Sequence, residues 1–186
     1  MLRSHLPTAP IELERVRLRQ IEESDADALF AIHSDLEVAR YQSKPAMTER
    51  AQAEELVARI RAGYEDGRSL QLGIERKEDG VLIGYCLLFN FHEGSRRAEI
   101  GYSLGRPHWG RGYMHEALIA LLEIAFGTLG LNRLEADIDP RNASSARSLE
   151  RLGFRKEGYL RERWIVNGEV SDTALFGLLR SDWPAT

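Results

Sequence analysis

A chain of 186 residues suffices for one domain with a substantial core, and its 43% hydrophobic and 29% charged residues are those of an ordinary globular protein. A formal net charge of −4 and a pI near 5.8 offer no basic stripe to a nucleic acid and leave a surface that tolerates cationic partners. The one cysteine, Cys86, excludes an internal disulfide and makes a reducing compartment the default; inside an apolar run with no base beside it, it reads as a small core residue. No signal-peptide layout and no apolar run approaching ~18 residues is present, so no membrane partner is expected and the cytoplasm is the expected location.

In chain order, residues 1–10 carry Pro7 and Pro10 without periodicity and read as a flexible end, and residues 11–186 read as a single domain. "ELERVRLRQI" alternates as a strand with Val16, Leu18 and Ile21 on one side. Ser24 followed by "DADALFAIHSD" predicts a capped helix with Asp25 and Asp27 in its acidic first turn. "TERAQAEELVARIRAGYEDG" predicts a clearer helix, with Ala53, Leu56, Val57, Ile60 and Tyr64 on one face and Gly67 as its stop. "SLQLGIERKEDGVLIGYCLLFNFHEG" reads as a hairpin about Asp79-Gly80. "RRAEIGYSL" then sets Ala98, Ile100, Tyr102 and Leu104 against a polar, open face of Glu99, Gly101 and Ser103.

The loop "HWGRG" leads into an apolar-striped helix, "YMHEALIALLEIAFGTLG". "RLEADID" is another strand, "NASSARSLERLG" a short helix ending at Gly153, and strands over 154–166 and 169–180 flank the turn Asn167-Gly168. The strand–helix–strand crossover from "AEIGYSL" to "RLEADID" joins parallel strands, and its neighbours are antiparallel. The fold class is therefore α+β, with a mixed, mostly antiparallel sheet, one central parallel strand pair and flanking helices.

Gly110 and Gly112 stand where a strand hands over to a helix. The first N–H groups of a helix have no partner inside it, and the macrodipole adds partial positive charge, so the loop is a candidate pyrophosphate cradle; a tight strand-to-helix turn is the plainer reading of an isolated G-x-G. A Walker A loop needs Lys-Ser/Thr where Tyr113-Met114 stands, and a dinucleotide fingerprint needs a third glycine where His115 stands. The five histidines show no metal spacing, and no metal is expected.

"AEIGYSL", "WGRGYMHEAL", "NASSARSLERLGF" and "EGYLRE", in this order and spacing, resemble successive blocks of the GNAT superfamily of acetyl-CoA-dependent N-acetyltransferases, in its RimJ/RimL branch, which acetylates ribosomal-protein alanine. The resemblance implies a central strand pair that splays, with acetyl-CoA as cosubstrate and its pantetheine arm in the gap. Tyr102, Ser103 and Leu104 would pair with pantetheine through the backbone. Trp109, Gly110, Arg111, Gly112, Tyr113 and Met114 would form the pyrophosphate loop, and Asn142 and Ser145 would lie near the thiol. Trp109 replaces the Gln or Arg common elsewhere in the superfamily, Met114 can offer only its N–H, and Leu149 stands where other members carry an acid tyrosine.

The implied reaction is direct attack of a primary amine, at a protein N-terminus or on a small molecule, upon the thioester. A base must take the ammonium proton, and a thiolate of pKa ~8.5 needs no strong acid. Ser145 is the candidate donor to the thiolate, or alternatively a helix-capping hydroxyl. Glu99 is the candidate base, or alternatively a salt-bridge partner of Arg96 or Arg97; Glu162 is the second candidate. A backbone N–H near Leu104 could polarise the acetyl carbonyl. His108 and His115 read as bystanders, the latter on the exposed side of its helix, and Arg106 and Arg111 could meet phosphates or solvent. The acceptor is expected against residues 35–41 and the strands after Phe154, on a monomer or homodimer. The rival function is a non-catalytic acyl-CoA sensor.

Overall fold

The computed structural model describes residues 6–7 and 9–183. Near the amino end, the alternating segment forms two strands, β1 (Ile11–Glu12) and β2 (Val16–Gln20), because Leu13 N–H turns back onto the Val16 carbonyl (3.0 Å). Of the segment expected to be flexible, residues 1–5 and 8 lie outside the described residues. Leu6 is buried in the core, and the Pro7 carbonyl accepts from the Tyr64 hydroxyl.

The first helix, α1 (Ala26–Ser34), is entered through one 3₁₀ turn at Glu23–Asp25. Its cap is not Ser24. The buried Asp25 carboxylate accepts the Glu22 N–H (2.8 Å) and holds the Arg19 guanidinium through two bonds of 2.7 and 2.8 Å. A four-residue helix absent from the sequence reading, α2 (Leu36–Ala39), follows on the Asp35 cap, and α3 (Arg50–Glu65) opens with a Glu49–Gln52 capping box. Then come the hairpin β3 (Leu70–Arg76) and β4 (Val81–His92), turning at Gly80 (φ +71°), and β5 (Arg97–Leu104). The striped helix α4 (Tyr113–Glu123) finishes in one π-helical turn, Ile124–Thr128, before β6 (Arg133–Ile138). The chain ends in α5 (Ala143–Arg151), β7 (Arg155–Val166) and β8 (Glu169–Leu179).

Among the described residues, eight strands form one sheet in the order β1-β2-β3-β4-β5-β6-β8-β7, and only β5 and β6 run parallel. Their ladder is three pairs long, from Arg97↔Arg133 to Glu99↔Glu135. Beyond it β5 stays with β4 as far as Leu104↔Gly84, and β6 stays with β8 as far as Ile138↔Ala174. Each strand keeps its outer neighbour and loses its inner one, so the sheet opens as a V in its middle. Alternation along β4 divides the core: Cys86 enters a large cluster with Leu118, Leu121, Leu134 and Leu149, while Tyr85 packs on a smaller one with Leu29 of α1 and Val57 of α3. Among the described residues no helix is long and apolar enough to cross a membrane.

Candidate active site

Which backbone groups face the V follows from strand parity. Gly105 N–H donates to the Ile83 carbonyl (2.9 Å), so residues 101, 103 and 105 turn their peptide groups toward β4; the Ser103 carbonyl lies against Gly84, where a Cβ would stand 2.4 Å from it. Tyr102 and Leu104 turn theirs the other way, into the gap. Of the three residues predicted to pair with a pantetheine arm, Tyr102 and Leu104 therefore present main chain to it, and Ser103 does not. The Trp109 indole N–H already donates to the Leu104 carbonyl (2.6 Å), which ties the following loop to the strand end and leaves the Leu104 N–H facing the gap.

The loop delivers what its glycines announce. Gly110 (φ +72°) and Gly112 (φ +82°) are left-handed, and Gly112 caps α4. The first turn of α4 closes with Glu116 N–H to the Gly112 carbonyl (3.1 Å), so the N–H groups of Tyr113, Met114 and His115 have no acceptor within the helix. A Cβ on Gly110 would meet open space, whereas one on Gly112 would lie 3.1 Å from Nη2 of Arg15. Arg15 braces the loop from beneath: it donates to the Arg111 carbonyl (2.8 Å), pairs with the Glu116 carboxylate (2.9 Å) and lies over the Tyr113 ring (5.1 Å). Arg106 pairs with Asp35 (2.8 Å). The Arg15–Glu116 brace joins residues a hundred positions apart, and no local pattern marks it.

On the α4 and α5 side of the V, Asn142 caps α5 by accepting the Ser145 N–H (3.0 Å). The capping role offered as the alternative for Ser145 thus belongs to Asn142. The Ser145 hydroxyl meets the Tyr102 hydroxyl at 2.7 Å, and burial pushes the Tyr102 phenol up to about 12, so it remains a neutral hydroxyl. Leu149, at the position of an acid tyrosine elsewhere, is fully buried.

The opposite face carries Glu99, Gly101 and Ser103. Arg97 does not pair with Glu99; it is held by Glu135 (2.8 Å), and Glu99 accepts from the Asn90 side-chain amide (3.0 Å). Ser103 Oγ accepts from Gln42 (3.2 Å), and across the ladder Tyr85 stacks on His33 (5.6 Å between centroids). From β6 the Asp137 carboxylate joins this face; Oδ1 accepts from the Thr173 hydroxyl (2.9 Å) and the Trp164 indole (3.4 Å). Gln42, Glu99, Gly101, Ser103, Asp137 and Trp164 border one cleft of about 1890 Å³ that also reaches Gly110, Met114 and Ser145.

Some predicted positions lie elsewhere. Glu162 sits in a bulge of β7 with φ +53°, donates its N–H to Asp172 (2.7 Å) and does not line the cleft. Arg111 and Tyr113 do not line this cleft. His115 is half-buried and lines the cleft, with Nδ1 shielded and unpartnered; the expectation of an exposed ring is corrected. Burial lowers the pKa of His108.

A sheet split beside a helix-start amide cradle is matched by the comparisons. Residues 15–155 match the acetyltransferase (GNAT) domain family. The chain belongs to the GNAT acetyltransferases. It is 38% identical over 170 residues to the uncharacterized N-acetyltransferase p20 of Bacillus licheniformis, covering 91% of this chain and 96% of that protein. Over 189 residues it is 28% identical to the ribosomal protein uS5-alanine N-acetyltransferase of Escherichia coli, covering 97% and 96%. RimJ of Mycobacterium smegmatis, solved with CoA-disulfide, superposes with a TM-score of 0.85 at 27% identity over 96% of this chain and 89% of that one. This GNAT protein is thus an acetyl-CoA-dependent N-acetyltransferase with the sheet expected for its family. It takes acetyl-CoA as cosubstrate, and the comparisons lend nothing to a sensor role.

Proposed function

We propose that this acetyltransferase holds acetyl-CoA by main-chain groups and directs the acetyl group to a primary amine entering from the Glu99 face. The observation that carries the reading is the parity of β5: the Tyr102 peptide groups and the Leu104 N–H turn to the gap, in line with the open amides of residues 110–114. The residues fit the coenzyme, since an extended amide-bearing arm matches a strand edge and a diphosphate matches a helix start. Bound acetyl-CoA supplies an electrophilic thioester carbonyl.

The remaining roles belong to this chain's side chains. Glu99, fixed by Asn90, takes the proton of the acceptor ammonium through water, exposing the lone pair that attacks. The Leu104 N–H is the candidate donor to the acetyl oxygen. Ser145, with its hydroxyl on Tyr102, relays a proton from water to the departing thiolate, taking one proton as it gives one. Glu162 does not line the cleft, so the base role is assigned to Glu99.

The acceptor lies under residues 35–47, where Asp35, Tyr41 and Gln42 are tied to Arg106, Arg141 and Ser103. An alanine-bearing protein N-terminus is the acceptor favoured by the similarity to the uS5-alanine enzyme, with small-molecule amines as the alternative. The long edge strand β7 leaves room for a homodimer, and the lone buried thiol accords with the cytoplasm. Following free thiol with acetyl-CoA and a panel of alanyl peptides, polyamines and aminoglycosides tests this: an alanyl peptide should saturate and turn over fastest. Release of thiol with small amines alone would move the acceptor assignment to them.

A further inference from the structure

The reaction described above assigns one carboxylate to the acceptor, yet two flank the opening. Glu99 and Glu135 are the last in-register pair of β5 and β6, and parallel partners present their side chains to the same face. Asp137 lies two residues further along β6, about 6.6 Å past the fork, still on the Glu99 face and on the other arm of the V. Gly101 stands at the matching position on β5 and brings no side chain of its own toward Asp137; the Leu87 side chain of β4 leans over it, with Cδ2 2.8 Å from where a Cβ would stand.

Asp137 is held as a charged receptor would be. Both of its donors, the fully buried Thr173 hydroxyl and the Trp164 indole, address Oδ1. The neighbouring arginines are engaged elsewhere. Arg97 is held by Glu135, Arg133 by Glu135 and Glu157, Arg141 by Asp139 and Glu169, and Arg163 lies over the Trp164 ring at 5.7 Å. Asp137 thus reaches the cleft fixed in orientation by neutral donors, with no ion pair formed to these arginines.

Building on the acetyltransferase reading, we infer that Asp137 seats the acceptor's ammonium, holding it across the gap from Glu99 until Glu99 and water remove the proton. Asp137 determines preference for cationic amines, and Thr173 positions it. An amine that is neutral near neutral pH has no charge for Asp137 to hold.

The test compares propylamine, cationic at neutral pH, with hydroxylamine, which is neutral there, at saturating acetyl-CoA. Asp137→Asn should raise KM for propylamine about 10–100-fold, leave kcat within about 3-fold and leave KM for hydroxylamine within about 2-fold. Thr173→Val should shift KM in the same direction by less, and coenzyme affinity should be unchanged in both variants. Equal KM increases for the two amines, or none for either, would overturn the assignment. A second readout needs no turnover: with coenzyme A bound, propylammonium should move the Trp164 indole N–H resonance in the native protein and not in Asp137→Asn. An unmoved resonance in the native protein overturns the seat even if thiol is released. A moved resonance without thiol release supports the seat and counts against the acetyltransfer reading alone.

Discussion

Along the proposed coenzyme wall of the cleft, from Tyr102 and Leu104 to the loop at 110–114, the groups turned to the gap are peptide groups. Along the proposed acceptor wall they are side chains: Glu99 from β5, Asp137 from β6, Gln42 from the segment after α2, with Thr173 and Trp164 behind them from β8 and β7. A wall of main chain depends on backbone conformation and tolerates exchange of most side chains that leave φ and ψ alone. A wall of side chains can change acceptor by substitution while coenzyme binding is untouched. Variants on one wall should therefore alter coenzyme affinity, and variants on the other should alter turnover or acceptor KM.

The sharpest break of this division is Gly112→Asp. It forces a side chain into φ +82°, a conformation that costs a non-glycine residue about 1–2 kcal/mol, and drives that side chain into the Arg15 guanidinium that braces the loop, displacing the amides of residues 110–114. Calorimetry should show coenzyme affinity falling about 10³-fold, with the fold intact by circular dichroism. Glu99→Gln should lower kcat about 10²-fold with coenzyme affinity within about 2-fold. That loss should be largest at low pH, where the amine is protonated, and should shrink as rising pH deprotonates the amine unaided.

Ser145→Ala and Tyr102→Phe should each lower kcat about 10-fold or less. Burial places the Tyr102 phenol at about 12 by disfavouring the phenolate, so below that value it stays a neutral hydroxyl. The ratio of native to Tyr102→Phe rates should consequently be flat from about pH 6 to 10, and a falling ratio within that window would show that the phenol titrates there. Smallest is Trp109→Phe, which releases the Leu104 carbonyl and should weaken coenzyme binding about 3-fold in the same calorimetric measurement.

The same division explains what could be read without coordinates. The alternation of "AEIGYSL", the two glycines and the apolar stripe of α4 are local patterns, and they placed the strand, the glycine turn into α4 and the crossover where the structure has them. Asn142 and Ser145 were found together, but their division of labour was not: which one caps α5 depends on Tyr102, forty-three residues from Ser145. Asp137 was in view within "RLEADID", and its alternation with Glu135 was legible. Its importance required the register of β6 against β5 and the end of that ladder, which are set by long-range pairing. Glu162 failed as a candidate because a bulge between Leu160 and Trp164 interrupts the alternation of β7. The short helix α2 was missed because four residues contain too little periodicity to register.

Amide hydrogen exchange resolved by NMR, with and without coenzyme A, tests the main-chain wall most directly. Slowing should appear at Tyr102 and Leu104, at residues 110–114, and not at Gly101 or Ser103, whose N–H groups already face β4. Slowing on the opposite parity of β5, or none at 110–114 with full coenzyme occupancy, would contradict it.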